Sequence, residues 1–244
     1  VFRGILWFET KRMARNFVPV FFALVFPVMM LSIFGGIYGS TPSARFGGRG
    51  VVDSSVPAYL VLVISVTGLM SFPLGLGEYR ERGVLKRFSS TPARSSSFLL
   101  AQGIVNLVLT IGGVILLVLT GLIFFGLHLP KNIVTTIFAL ILVMLGVYSV
   151  GALIAALART ERQAIVIANL VYFPVIFLSG VTIPLAIFPS IMIKISDFIP
   201  FTYGVKLLQS QWLGTSTNLG VDLSVISATI LLGAFVAIRA FRWE

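Results

Sequence analysis

Residues 98–126 read FLLAQGIVNLVLTIGGVILLVLTGLIFFG, without one Asp, Glu, Lys, Arg or His. A helix rising about 1.5 Å per residue needs roughly 20 mostly apolar residues to cross a hydrocarbon core. This run exceeds that length, so its helix must tilt or project past the membrane. Outward in both directions lie five further runs that can cross a bilayer, at about 17–38, 57–77, 133–158, 164–183 and 223–238. None of these holds an Asp, Glu, Lys, Arg or His between its bounds either. Of the 244 residues, 57% are hydrophobic and 11% charged, and the mean hydropathy is +1.04. A chain so apolar is not solvated all round. The expected fold is an all-α integral membrane protein of six transmembrane helices in a single domain over 1–244, without internal repeats.

The runs differ at their edges. Ser54 and Ser55 are possible caps for the second span, Pro57 falls near its first turn and Pro73 should kink its far end. Residues 1–15 place Phe2, Ile5, Leu6 and Met13 on one helical face, interrupted by Glu9, as in a helix lying in the membrane interface. The basic-then-apolar start resembles a signal peptide, but its apolar run is too long and no small-x-small cleavage site follows, so it reads as a retained first span. The initial Val1 is compatible with an alternative start codon or a trimmed chain. Residues 184–206 are apolar but broken by Pro184, Pro189 and Pro200. A crossing there would bury Lys194 and Asp197 at about 2.5–3.5 kcal/mol each, so two short re-entrant or surface helices are expected.

The formal charge is +10, and the placement of the basic residues gives its meaning. Of the 18 Lys and Arg, 13 lie in the N-terminus, residues 78–97, residues 159–162 and the C-terminus. They flank apolar runs and form no basic, aromatic-interleaved stripe, which speaks against nucleic acid. Short basic loops stay in the cytoplasm, so both termini are expected there, and an even number of spans agrees. Without cysteine there is no disulfide, thiolate nucleophile or Cys-ligated metal site. The single histidine, His128, has no carboxylate near it in sequence and reads as an interfacial polar residue. No phosphate loop and no HExxH spacing occur, and the spans lack the midplane ionisable groups that ion-coupled carriers use. A catalytic site is therefore not expected, and energy for any transport would come from another chain.

Residues 78–97, EYRERGVLKRFSSTPARSSS, are where such energy could enter. As a helix they pair Glu78 with Arg82 and line up Val84, Leu85 and Phe88, with Pro92 as a stop. That segment could dock on a soluble partner or simply lie at the interface. Asn106, Asn169 and Tyr172, with Phe173 and Phe177 following, are candidates for a substrate path, although such groups also bond between helices. The pairs Gly35/Gly39 and Gly151/Ala155 allow close helix contact, within the chain or between subunits.

The stretch Glu78-Tyr-Arg-Glu-Arg-Gly83, with Leu85-Lys-Arg-Phe88 and Thr91-Pro92, resembles the cytoplasmic loop of type 2 ATP-binding-cassette (ABC-2) exporter permeases. So does the stretch with Phe173-Pro174, Phe177-Leu-Ser-Gly-Val181, Pro184, Pro189 and Ile199-Pro200-Phe-Thr-Tyr203. The resemblance implies a connecting helix at 1–15 and a coupling helix that meets a separate ATPase through Glu78, Arg80, Glu81, Arg82, Gly83, Leu85 and Phe88. It also implies an external gate region with Pro184, Pro189, Pro200 and Tyr203. The chain itself would hold no cofactor, ATP and Mg being on the partner ATPase, and a second permease copy or homologue would complete the assembly in the cell membrane. The cargo implied is a lipophilic drug, antibiotic or lipid-like compound. Glycolipid or polysaccharide export and a non-transporting membrane scaffold are the competing readings.

Overall fold

The computed structural model describes residues 2–39, 50–83, 95–182, 185 and 188–240. Helix α1 spans Phe2–Arg15 and buries Ile5, Glu9 and Met13, a stripe of every fourth residue. Glu9 therefore belongs to the packed face that it was expected to interrupt, while Phe2 is exposed. Extended backbone at Asn16 separates α1 from the first span, α2, Phe17–Tyr38.

The second span, α3, runs over Val51–Glu81 and is the column around which the bundle is built. Of its most apolar window 83% is buried, against 17–39% in the other five candidate spans. Both α2 and α3 contain a π-helical segment, Phe21–Val25 and Val66–Ser71, and each segment is followed by Phe-Pro. Proline supplies no N–H to the ladder, so the chain widens one turn and continues. Pro73 thus produces a π segment inside a continuous helix. The start of α3 also departs from expectation. Gly50 is its N-cap, Ser54 donates back to the Gly50 carbonyl at 3.1 Å, and Pro57 lies inside the helix. Burial of Val51 and Val52 carries the helix below that proline.

The remaining spans are α4 (Ser95–Phe125), α5 (Ile133–Leu157), α6 (Glu161–Leu178) and α9 (Leu219–Ala240). Asn132 caps α5 by accepting from Val134 and Thr135, and Thr160 caps α6 by accepting from Gln163. The fifth span therefore begins and ends earlier than the apolar run suggested, closing before Gly180 at φ +83°. The sixth is longer than expected because its apolar core is flanked by residues that still continue the helix.

Two short helices precede α9. Helix α7, Ser190–Ser196, lies on the surface. Helix α8, Pro200–Leu213, buries Phe201, Val205, Leu208 and Trp212 against α3, α5 and α9, so it is an internal element of the bundle. Small residues permit the closest approaches. A β-carbon at Gly151 would overlap the Gly68 carbonyl, and one at Gly35 would come within 2.8 Å of the Phe125 ring. Both contacts are within the chain, and they fix the roles of these glycines there.

Candidate functional site

Three of the four residues Glu78-Tyr79-Arg80-Glu81 make polar bonds to different neighbours from the last turn of α3, and Tyr79 packs edge-on against Phe98 of α4 with ring centres 6.0 Å apart. Glu78 accepts from Arg12 Nη1 at 2.7 Å and from Arg82 Nη2 at 3.0 Å. Arg12 also bonds Glu9 at 3.2 Å and lies 4.9 Å from the Tyr79 ring centre. Glu9 is fully buried, and desolvation pushes its carboxyl above the usual range although Arg12 opposes the shift. This network fastens α1 to α3.

Arg80 donates to the carbonyls of Ala155 and Ala158, the latter at 2.6 Å. Those carbonyls end α5, where the helix dipole favours a cation. Glu81 accepts the backbone N–H of Glu161 at 2.9 Å, placing a carboxylate on the N-terminus of α6. A β-carbon at Gly77 would lie 3.1 Å from the Glu161 α-carbon, a tight contact, so a glycine eases this approach. One turn of helix therefore holds α1, α5 and α6 together. Gly83, at φ +63°, ends the segment, and Leu85 and Phe88 lie outside the described residues.

A cavity of about 250 Å³ opens from this clamp into the bundle. Arg12, Glu78 and Glu161 stand at its charged end. Its walls come from the two π segments, through Phe22, Val66, Met70 and Ser71, and from α6, through Asn169, Tyr172 and Phe173. Pro174 interrupts the α6 hydrogen-bond ladder beside them. The Asn169 amide and Tyr172 hydroxyl, although the tyrosine is only 8% exposed, make no hydrogen bond among the described residues.

The structure divides the expected path residues. Asn169, Tyr172 and Phe173 meet at the cavity. Phe177 stacks on Phe173 with ring centres 6.3 Å apart but does not line it. Asn106 is buried elsewhere, donating to the Gln102 carbonyl at 2.9 Å. Near it, Thr110 bonds both Thr67 at 2.7 Å and Tyr148 at 2.9 Å, joining α3, α4 and α5. These hydroxyls were not selected from the sequence because single Thr and Tyr residues in apolar runs carry no spacing signal.

At the opposite end, Pro189 is the N-cap of α7 and Pro200 opens α8. Tyr203 donates to the Asp197 carbonyl at 3.0 Å, while Lys206 reaches the Asp197 carboxylate at 2.9 Å. Pro184 lies outside the described residues. His128, expected to be a simple interfacial residue, is bonded by Asp53 through both its backbone N–H and ring Nδ1, each at 2.9 Å. Trp212 donates to its carbonyl at 3.1 Å.

Among the described residues, six helices long and apolar enough to span a bilayer, around a cavity walled by interrupted helices, describe a multi-pass membrane protein of permease type. The family described as ABC-2 type transporter matches residues 1–212, and the chain belongs to that family. It is 26% identical over 241 residues to the transport permease designated ycf38 of Cyanophora paradoxa, covering 91% of this chain and 82% of the relative. Similarity extends to the protein designated probable multidrug ABC transporter permease YbhS of Escherichia coli strain K12, at 25% identity over 77% of this chain and 49% of that one. ABC transporter G family member 20 of Dictyostelium discoideum is 23% identical over 84% of this chain and 28% of its own length. The chain thus spans about half of YbhS and a smaller share of the Dictyostelium protein.

Proposed function

We propose that the chain is the transmembrane subunit of an ATP-driven exporter, carrying a lipophilic small molecule out of the cytoplasm or inner leaflet. In this reading a separate ATPase holds ATP and Mg, and a second permease copy or homologue completes the assembly. The α1 end of the bundle and both termini face the cytoplasm of the cell membrane, and the cavity takes the cargo.

The observation that carries the reading is the clamp at Glu78–Glu81. Force applied just after Gly83 reaches α1, α5 and α6 through charged bonds, and α6 supplies one wall of the cavity. A displacement at the ATPase would therefore be transmitted to the cargo site by rigid elements, without a titrating group in the membrane. The names of relatives in the family support a transport role. Affinity purification in mild detergent tests the reading. A P-loop ATPase is expected with the wild type and is expected to be lost in the Leu85→Asp/Phe88→Asp double variant. Absence of an ATPase from the folded wild-type protein would overturn it.

A further inference from the structure

The cavity shares Arg12, Asn16 and Glu78 with a second recess lined also by Phe8, Lys11 and Arg15. We propose that together they hold an elongated anionic amphiphile with its head on Lys11 and Arg15, its chain in the cavity, and a hydrogen-bonding group partway along that chain. The inference rests on the cavity being the cargo site and adds the chemical class of the ligand.

The charges decide the sign of the head. Arg12 is held by Glu9 and Glu78, and Glu78 by Arg12 and Arg82. Lys11 and Arg15 form no ion pair among the described residues and stand four apart on α1, on one side of the helix. Across the mouth, Glu161 also has no ion pair among the described residues; it sits in the first turn of α6, whose N-terminus it shares with the Glu81 carboxylate. The sign of the head therefore rests on Lys11 and Arg15, the two cations of the recess that no carboxylate holds among the described residues.

The depth of the polar groups decides the rest. Asn169 and Tyr172 lie eight and eleven residues beyond Glu161 on α6, about 12–17 Å further along the helix. The Tyr172 ring is buried, but its hydroxyl has no partner among the described residues and keeps accessible surface, so it is free to bond a ligand hydroxyl or carbonyl at that depth. The space is narrow: about 250 Å³ is below the roughly 300–1,000 Å³ common for drug-sized ligands, and suits a single chain.

The experiment is competition for tritiated 12-hydroxystearate bound to the full chain in detergent, by scintillation proximity. Unlabelled 12-hydroxystearate should compete about tenfold better than stearate, the worth of one buried hydrogen bond, and stearylamine should not compete. Tyr172→Phe should remove the advantage of the hydroxyl and leave stearate unchanged. Lys11→Gln/Arg15→Gln should weaken both anions on the order of tenfold. Equal competition by stearylamine, or a hydroxyl preference that survives Tyr172→Phe, would overturn the inference. Copurification of the ATPase is scored on the same samples. If the ATPase binds but the ligand preferences fail, only the ligand class falls. If the preferences hold without an ATPase, the site stands and the exporter reading falls.

Discussion

Arg80 is a side chain whose length and charge both matter, because it spans from α3 to the final carbonyls of α5. Arg80→Ala should lower stability by about 1–3 kcal/mol, the range for a charged hydrogen bond at a helix end, measured as thermal unfolding in detergent. Arg80→Lys should recover part of the loss. Glu9 gives the opposite sign. Burial favours its protonated form, so the folded chain binds the proton more tightly than the unfolded chain does. Its stabilising contribution is full below the ordinary glutamate range near 4.5 and disappears as pH rises through the raised value in the fold. Glu9→Gln should flatten this part of the stability–pH profile, and a profile identical to the wild type would refute the assignment. The residue types at 78–81 were legible as important. Their partners were not, because Arg12, Ala155, Ala158 and the Glu161 amide are brought to them by packing and have no fixed sequence offset.

Helices α2 and α3 show how a local rule is reshaped by its setting. A proline in a span predicts a kink, yet the missing amide is absorbed by π segments at Phe21–Val25 and Val66–Ser71. The Val66–Ser71 segment presents its Gly68 carbonyl to Gly151 of α5. Gly151→Leu would drive a branched side chain into that backbone and should cost about 3 kcal/mol or more. The expected result is loss of the monodisperse species in size-exclusion chromatography, whereas a variant as stable as the wild type would mean that the two helices can separate. Continuation of α3 past Gly77 also made a structural clamp of residues expected to lie beyond the second span. Composition alone could not reveal it: charged residues read as the end of a span, but here their charges are met by helix termini and ion pairs.

For the whole molecule, the proposed orientation places Arg162 and Ser216 on opposite sides of the membrane. Both are exposed, and the 244 residues contain no cysteine. In intact cells, Ser216→Cys should react with a membrane-impermeant maleimide, while Arg162→Cys should react only after permeabilisation. The reverse pattern would invert the topology and place the clamp on the wrong side for an ATPase. Either pattern leaves the six-helix count unchanged, since that count follows from length and hydropathy.

The sequence by itself determined the six apolar helices, the amphipathic first helix and the family resemblance, because hydrophobicity over about 20 residues and a short charged motif are local properties. Tertiary structure alone decided that α3 is the central column, that α8 is internal and that Glu78–Glu81 make polar bonds to three other helices. It also decided that Asn169 and Tyr172 share a cavity while Asn106 does not. In a lipid solvent every span is apolar on most sides, so periodicity carries little information about which face meets protein. Small residues, freed backbone carbonyls and helix-end charges make that choice, and they do so only once the helices are in contact.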